Sequence, residues 1–336
     1  MNRKFAPLLS LMALVGLSAA GTAQAASYQI CNAGSCKSES VFAWPWEQSS
    51  YAKTKYPVVL AHGMAGFSKI GPVDYWYGIP QDLAKNGARV YVTQVASFES
   101  SEARGEQLLA QVQNILAISG AQKVNLIGHS HGSQSIRYVA GVLPSRIASA
   151  SAVGGPNTGS PAADVIGGIT TIPGLGPLAT PVIAGVVNGF FSIVDILSGQ
   201  AYRQDALNGL ASLTTAGAAD FNSRFPAGIP AASTPCAEGA YSVNGVRYYS
   251  WSGVGHLTNA LDPLDLPLAA IGLVIPGEDD GLVGRCSSHL GQVIRDNYKM
   301  NHLDEVNQLL GLVSLFETDP KAVFRQQANR LKSAGL

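Results

Sequence analysis

The chain has 336 residues, 46% of them hydrophobic and 13% charged, with 22 basic residues balanced by 22 acidic ones. Charge this sparse and even lacks the basic excess that a nucleic-acid partner would need. The apolar fraction is ample for a sizeable core, and the length suits one large α/β unit.

Residues 1–25 carry Arg3 and Lys4, then the apolar run Pro7 to Leu17, then Ala23-Gln24-Ala25. That is the layout of a secretory signal peptide, and its apolar centre is shorter than the roughly 20 residues that cross a bilayer. A secreted protein with no integral membrane segment is expected. Removing the leader takes away two basic residues and no acidic one, leaving a net charge of about −2.

Residues 26–52 are polar and aromatic, include Trp44-Pro45-Trp46 and show no clear period. They are expected to form an N-terminal extension packed on the surface, ahead of a catalytic domain from 53 to 336, with regular structure starting at Tyr56. From there strand-like runs alternate with helical patterns: a strand over Tyr56 to Leu60, a helix near Ile79 to Asn86, and a strand over Val90 to Val95. A long amphipathic helix over Ser101 to Ser119 then leads into a strand from Lys123 to Ile127. This alternation predicts a doubly wound, mainly parallel sheet with helices on both faces.

The stretch from about 160 to 215 breaks the rhythm, being rich in Gly, Pro, Ile and Val, with Phe190 and Phe191 inside Val182 to Leu197. It reads as a buried helix or as a helical lid whose opening would present an apolar face to lipid. Four cysteines, an even number in an exported chain, are expected to pair. Cys31 and Cys36 lie close enough for a small local loop, whereas a bridge from Cys236 to Cys286 would close about 50 residues and contribute roughly 4 kcal/mol.

Gly128-His129-Ser130-His131-Gly132 fits the G-x-S-x-G nucleophile elbow, preceded by the apolar strand Val124 to Ile127 and followed by a helical pattern from Ser133 to Leu143. The glycines are needed because a side chain there would collide with the neighbouring strand or helix. A serine hydroxyl needs a base to take its proton, and the developing oxyanion needs fixed donors. His62-Gly63-Met64 directly follows a strand, where such a loop belongs, so the main-chain N–H groups of Met64 and His131 are the candidate donors.

Three histidines follow the elbow: His256, His289 and His302. His302, in a polar turn before an apparent helix near the chain end, is the candidate base, and His289 is the alternative. For the acid, Asp262, Asp265, Asp279, Asp280, Asp296 and Asp304 are all available. Asp280 is favoured because it follows the apolar run Ile271 to Ile275 as a strand-end carboxylate; Asp279 is the nearest rival, otherwise a solvated turn residue.

Long strings in this chain resemble the foldase-dependent true lipases of Gram-negative bacteria. They are Tyr56 to Met64, Val124 to Gly132, Asp280 to Val283, Cys286 to Gly291 and Met300 to Gln308, and the resemblance extends from Tyr51 to Leu336. It implies the α/β-hydrolase fold, triacylglycerol hydrolysis, a triad of Ser130, Asp280 and His302, oxyanion donors at Met64 and His131, and a Cys236–Cys286 disulfide. It also implies a lipase-specific foldase as partner and a structural calcium ion held by Asp262, Asp304 and the main-chain oxygens of Gln308 and Leu312, an oxygen-only set that suits a hard cation. Residues 26–50, Ser133-Gln134 and Gly154 to Gly159 depart from the family pattern without touching the triad. An esterase or polyester hydrolase with the same triad is the alternative function.

Overall fold

A computed structural model describes residues 26–70, 73–167 and 205–336. Val182 to Leu197 and most of the expected lid therefore lie outside the described residues.

Strands β3 (Val58–Ala61), β6 (Val90–Gln94), β7 (Val124–His129) and β8 (Ile147–Val153) are buried at every position. Burial on both faces is what a parallel sheet covered by helices requires, and it explains why these runs do not alternate with polar residues. Alternate side chains still part company. Val58, Leu60, Val90 and Val92 enter one core with Trp76 and Phe324, while Val59, Ala61, Tyr91 and Leu126 enter the other with Leu108 and Ile136. Helices α1 (Ile79–Lys85) and the C-terminal Pro320–Ser333 cover the first face; α2 (Ser101–Ser119) and α3 (Gly132–Val142) cover the second.

Among the described residues the main sheet has nine strands, with main order β11-β10-β8-β7-β3-β6-β1-β2, where β1 is Ser27–Asn32, β2 is Ser35–Ser40, β10 is Val246–Gly253 and β11 is Gln292–Tyr298; β9 (Ser242–Val243) pairs with β10, and β4 (Lys69–Ile70) and β5 (Val73–Asp74) form a separate pair. All pairings from β11 through to β1 are parallel. After β3 the chain moves one way to β6, then returns to place β7 on the other side. Such a reversal opens a crevice beyond the carboxyl ends of the two central strands, where ligands bind in open α/β sheets. His62 to Met64 follow β3 there, and Ser130 follows β7.

Regular structure begins earlier than Tyr56. β1 (Ser27–Asn32) and β2 (Ser35–Ser40) form a hairpin, and β1 adds to the sheet in parallel beside β6. Tyr28 and Cys31 point to opposite faces and are buried in the two cores, so the extension continues the sheet as well as coating it. The polar composition of β2 hid the hairpin, because an edge strand exposed to solvent shows no apolar alternation. Cys31 and Cys36 are directly opposed and disulfide-bonded, and Cys236 is bonded to Cys286.

A second difference concerns the run Ile271 to Ile275. Asp265–Gly272 is a helix, and the chain then turns through 273–278 without forming a strand, so Asp280 lies on a loop and not at a strand end. Residues 265–272 are apolar nearly throughout, and a short apolar run carries no period that separates helix from strand. After His302 the regular element is a single 3-10 turn, Asp304–Val306.

Candidate active site

Ser130 has a backbone φ of +54°, in the left-handed region that L side chains rarely adopt. The strain holds the residue at the tip of the bend between β7 and α3, where it is the one partly open position among 124–137. A Cβ on Gly128 would strike the carbonyl of Gly132, and one on Gly132 the carbonyl of Ala61, so both glycines are required by contact. Ser130 N–H donates to the Val153 carbonyl at 2.9 Å, tying the elbow to β8.

His131 caps the N-terminus of α3. Neither its main-chain N–H nor that of Met64 donates to a protein acceptor among the described residues. The positive end of the helix dipole adds to the field at this point. A Cβ built on Gly63 would come within 2.7 Å of Ser130 Cβ, which places the 62–64 loop directly against the serine.

Arg104, which sequence reading did not single out, braces that loop. It is fully buried on α2, and its Nη2 donates to the carbonyls of His62 at 2.6 Å and Gly63 at 3.1 Å. Because a trans peptide points its C=O and N–H in opposite directions, drawing the Gly63 carbonyl toward Arg104 aims the Met64 N–H away from it. Burial lowers the guanidinium to about 9, so it remains a cation at neutral pH. His62 Nδ1–H donates to the Gly63 carbonyl at 2.9 Å, and its Nε2 accepts from Val95 N–H at 3.2 Å. Burial, then Arg104, pushes His62 down to about 3, so it is a neutral strut.

His302 Nδ1 lies 2.8 Å from Asp280 Oδ2, and the His302 N–H donates to the Asp280 carbonyl at 2.8 Å. The other oxygen of Asp280 accepts from Leu282 N–H at 2.9 Å and Val283 N–H at 2.7 Å. Both residues are buried. The ring of His302 packs 4.6 Å, centroid to centroid, from that of His129, the chain neighbour of Ser130. Imidazole and elbow are thereby brought together from opposite ends of the domain.

The remaining acids and bases divide cleanly. Asp279 is buried and paired with His256 Nε2 at 2.6 Å, rather than solvated. Asp296 accepts from His289 Nε2 at 3.0 Å and from Arg285 Nε at 2.7 Å, which lowers its pKa despite partial burial. Asp265 caps the Thr258 and Asn259 N–H groups. Asp262 and Asp304 are buried near one another, and each keeps one oxygen, Asp262 Oδ2 and Asp304 Oδ1, without a hydrogen-bond partner. His289 thus has its own carboxylate, away from His302.

Among the described residues, His129, His302 and Glu305 form a group that could hold a metal ion, with ligand atoms within 4.8 Å of one another. Two imidazoles and one carboxylate are not the oxygen-only set expected for calcium. Burial and the nearby Asp280 charge push Glu305 well above the usual carboxylate range.

A strained serine, two unengaged amides and an imidazole backed by a carboxylate, on a sheet of this order, define a serine hydrolase of the α/β-hydrolase class. The sequence matches the family described as alpha/beta hydrolase fold over residues 56–305. It is 55% identical over 290 residues to a triacylglycerol lipase of Vibrio cholerae serotype O1, covering 86% of this chain and 91% of that one. Triacylglycerol lipases of Burkholderia plantarii (43% over 320 residues, 85% and 88% covered) and Pseudomonas fragi (42% over 293 residues, 84% and 98% covered) are also similar. The crystal structure of the Bacillus licheniformis lipase BlEst2 in mature form shares the fold, with a TM-score of 0.55 at 18% identity, covering 83% of this chain and 93% of that one. The chain belongs to this family of bacterial lipases and is a carboxylic-ester hydrolase.

Proposed function

We propose that the chain is a secreted triacylglycerol lipase in which Ser130, His302 and Asp280 are the catalytic triad and the Met64 and His131 amides form the oxyanion hole. The observation that carries the reading is the bond from His302 Nδ1 to Asp280, whose second oxygen is already held by two amides. That bond fixes the proton on Nδ1 and leaves Nε2 as the acceptor. Ser130 Oγ attacks the ester carbonyl while Nε2 takes its proton, and the two amides receive the oxyanion. His302 then gives the proton to the departing alcohol, and water, activated by the same nitrogen, releases the fatty acid from the acyl-enzyme.

A lipid substrate is supported by exposed apolar side chains near the base loop: Leu257, Leu261, Leu266 and Leu273 on one segment, and Leu315 and Phe316 on another. Asn259 Nδ2 binds the Val313 carbonyl at 3.0 Å and joins the two segments. The expected result is faster turnover of emulsified long-chain triacylglycerol than of a soluble short-chain ester or a polyester film. The reverse ranking would assign the chain to the esterases or polyester hydrolases.

For the structural ion, calcium fits the residues present. Burial drives Asp304 up to about 7, and the Asp262 and Asp265 charges push the same way. A hard divalent cation between Asp262 and Asp304 would satisfy their two orphaned oxygens. The main-chain oxygens of Gln308 and Leu312 would complete the set, and the ion would supply a tether for the loop that carries His302. Chelation is expected to lower Tm by about 5–10 °C, the effect of losing a ligand held well above its Kd. An unchanged melt in a preparation free of metal removes the ion from the reading. The leader at 1–25, the extension at 26–52 and the lid at about 160–215 complete the proposed organisation. A lipase-specific foldase is its proposed partner, and unaided refolding of the denatured mature chain to full activity counts against that partner.

A further inference from the structure

Gly63, His129 and His302 belong to the oxyanion loop, the elbow and the base loop, and one unbroken line of hydrogen bonds joins them. The Gly63 N–H donates to Tyr75 Oη at 3.1 Å, Tyr75 Oη lies 2.6 Å from His129 Nδ1, and His129 Nε2 lies 2.9 Å from the His302 carbonyl oxygen. With His129 neutral, only one arrangement of protons satisfies all three contacts. A peptide N–H at one end can only donate and a carbonyl at the other can only accept, so Tyr75 donates to Nδ1 and His129 carries its proton on Nε2. Burial keeps both groups neutral, raising Tyr75 and lowering His129 well below the ordinary imidazole range.

The line is rigidly enclosed. Tyr75 and His129 are buried, and Tyr75 packs edge-on against Phe67 and Trp76 with centroids at 5.9 and 5.3 Å. From the base loop, Gln308 Nε2 donates to the Tyr75 carbonyl at 3.0 Å. Gly63 is thus held at both ends, its carbonyl by Arg104 and His62 and its N–H by Tyr75. A Cβ on Gly63 would stand 2.8 Å from Tyr75 Oη, so the approach needs glycine.

We propose that Tyr75, acting through His129, is a positioning residue for ester hydrolysis: it fixes the loop that presents the Met64 amide and ties that loop to the one that carries His302. The inference rests on the assignment of Ser130, Met64 and His302 given above. Among the described residues the Tyr75 hydroxyl bonds to Gly63 N–H and His129 Nδ1, and not to the Ser130 hydroxyl or the carboxylate of Asp280. Its effect is on how well the donors are aimed when negative charge develops, and so on kcat rather than on KM.

The test uses the mature protein and p-nitrophenyl butyrate. Tyr75→Phe keeps the ring and removes both hydrogen bonds; kcat is expected to fall about tenfold or more, with KM within about twofold, as for an oxyanion donor that has lost its aim. His129→Gln, which keeps an amide donor toward the His302 carbonyl but loses the acceptor for Tyr75, is expected to cost a similar factor. The double variant is expected to be no worse than the weaker single one, because the two residues act as one unit. Melting curves accompany each variant, since a merely structural role would lower Tm and leave kcat of the folded fraction unchanged. A folded Tyr75→Phe with kcat within twofold of the parent overturns the proposal, as do losses that multiply in the double variant. If Tyr75→Phe does not fold, His129→Gln decides by the same threshold. Labelling of the unaltered protein by an organophosphonate separates the two layers: no adduct on Ser130 removes the reading of the active site itself, whereas a normal adduct with an unaffected Tyr75→Phe removes only the positioning role.

Discussion

Ser130→Ala is expected to lower kcat on a soluble ester by about a million-fold, the loss seen when a triad serine is removed and only the oxyanion hole and substrate binding remain. Stability is expected to change little. The backbone at 130 sits at φ +54°, and alanine feels the same steric cost there as serine, while the glycines that permit the bend are untouched. Initial rates on p-nitrophenyl butyrate, with a melting curve to show that the variant is folded, provide the measurement. Retention of more than about 1% of activity is far above a triad knockout and would move the nucleophile elsewhere.

Asp280→Asn should cost about 10⁴-fold in kcat with little change in KM, and the hydrogen bonds around this carboxylate show why. Oδ2 faces His302 Nδ1, and Oδ1 accepts two amides, from Leu282 and Val283. An asparagine has one oxygen and one NH₂ to place in these positions. With the oxygen on the amides, the NH₂ points at Nδ1 and forces the imidazole proton onto Nε2, which then cannot accept from Ser130. With the oxygen on His302, the NH₂ faces two N–H donors and is repelled. The first orientation disables the base, the second is disfavoured by that donor–donor clash, and neither leaves a cavity. A loss below tenfold would mean that another carboxylate supports His302, and Glu305 is the buried group in position: it accepts from Gly253 N–H at 2.6 Å and interacts with Asp280.

Those two residues were not equally legible. Ser130 could be read locally, since a strand, a tight bend with glycine on either side and a helix all fall within about twenty consecutive residues. Met64 and His131 followed from it as neighbours of the two central strand ends. Among six aspartates the sequence favours Asp280 as a strand-end carboxylate, and that reason does not hold, because the segment before it is a helix and a turn. The resemblance to known lipases implies the same residue, and of the six aspartates Asp280 is the one with a carboxylate oxygen against His302 Nδ1. Arg104 and Tyr75 carried no sequence signal. An arginine on an amphipathic helix and a tyrosine beside a tryptophan look like surface and core residues until the chain is folded.

The sequence by itself determined the three central strands near 58–61, 90–94 and 124–129, the helices that follow them and the bend that carries Ser130, because each depends on periodicity and glycine placement over short stretches; it left Ile147–Val153, Val246–Gly253 and Gln292–Tyr298 unread. It did not determine the edge hairpin at 27–40, whose polar strand gains its stability from pairing with β6. Only the tertiary structure decided which imidazole meets which carboxylate: His256 with Asp279, His289 with Asp296, His302 with Asp280. Such pairings are fixed by distances of about 3 Å between groups whose separation along the chain is unrelated to their separation in space, and hydrogen-bond strength falls away too steeply with distance for a sequence pattern to record it.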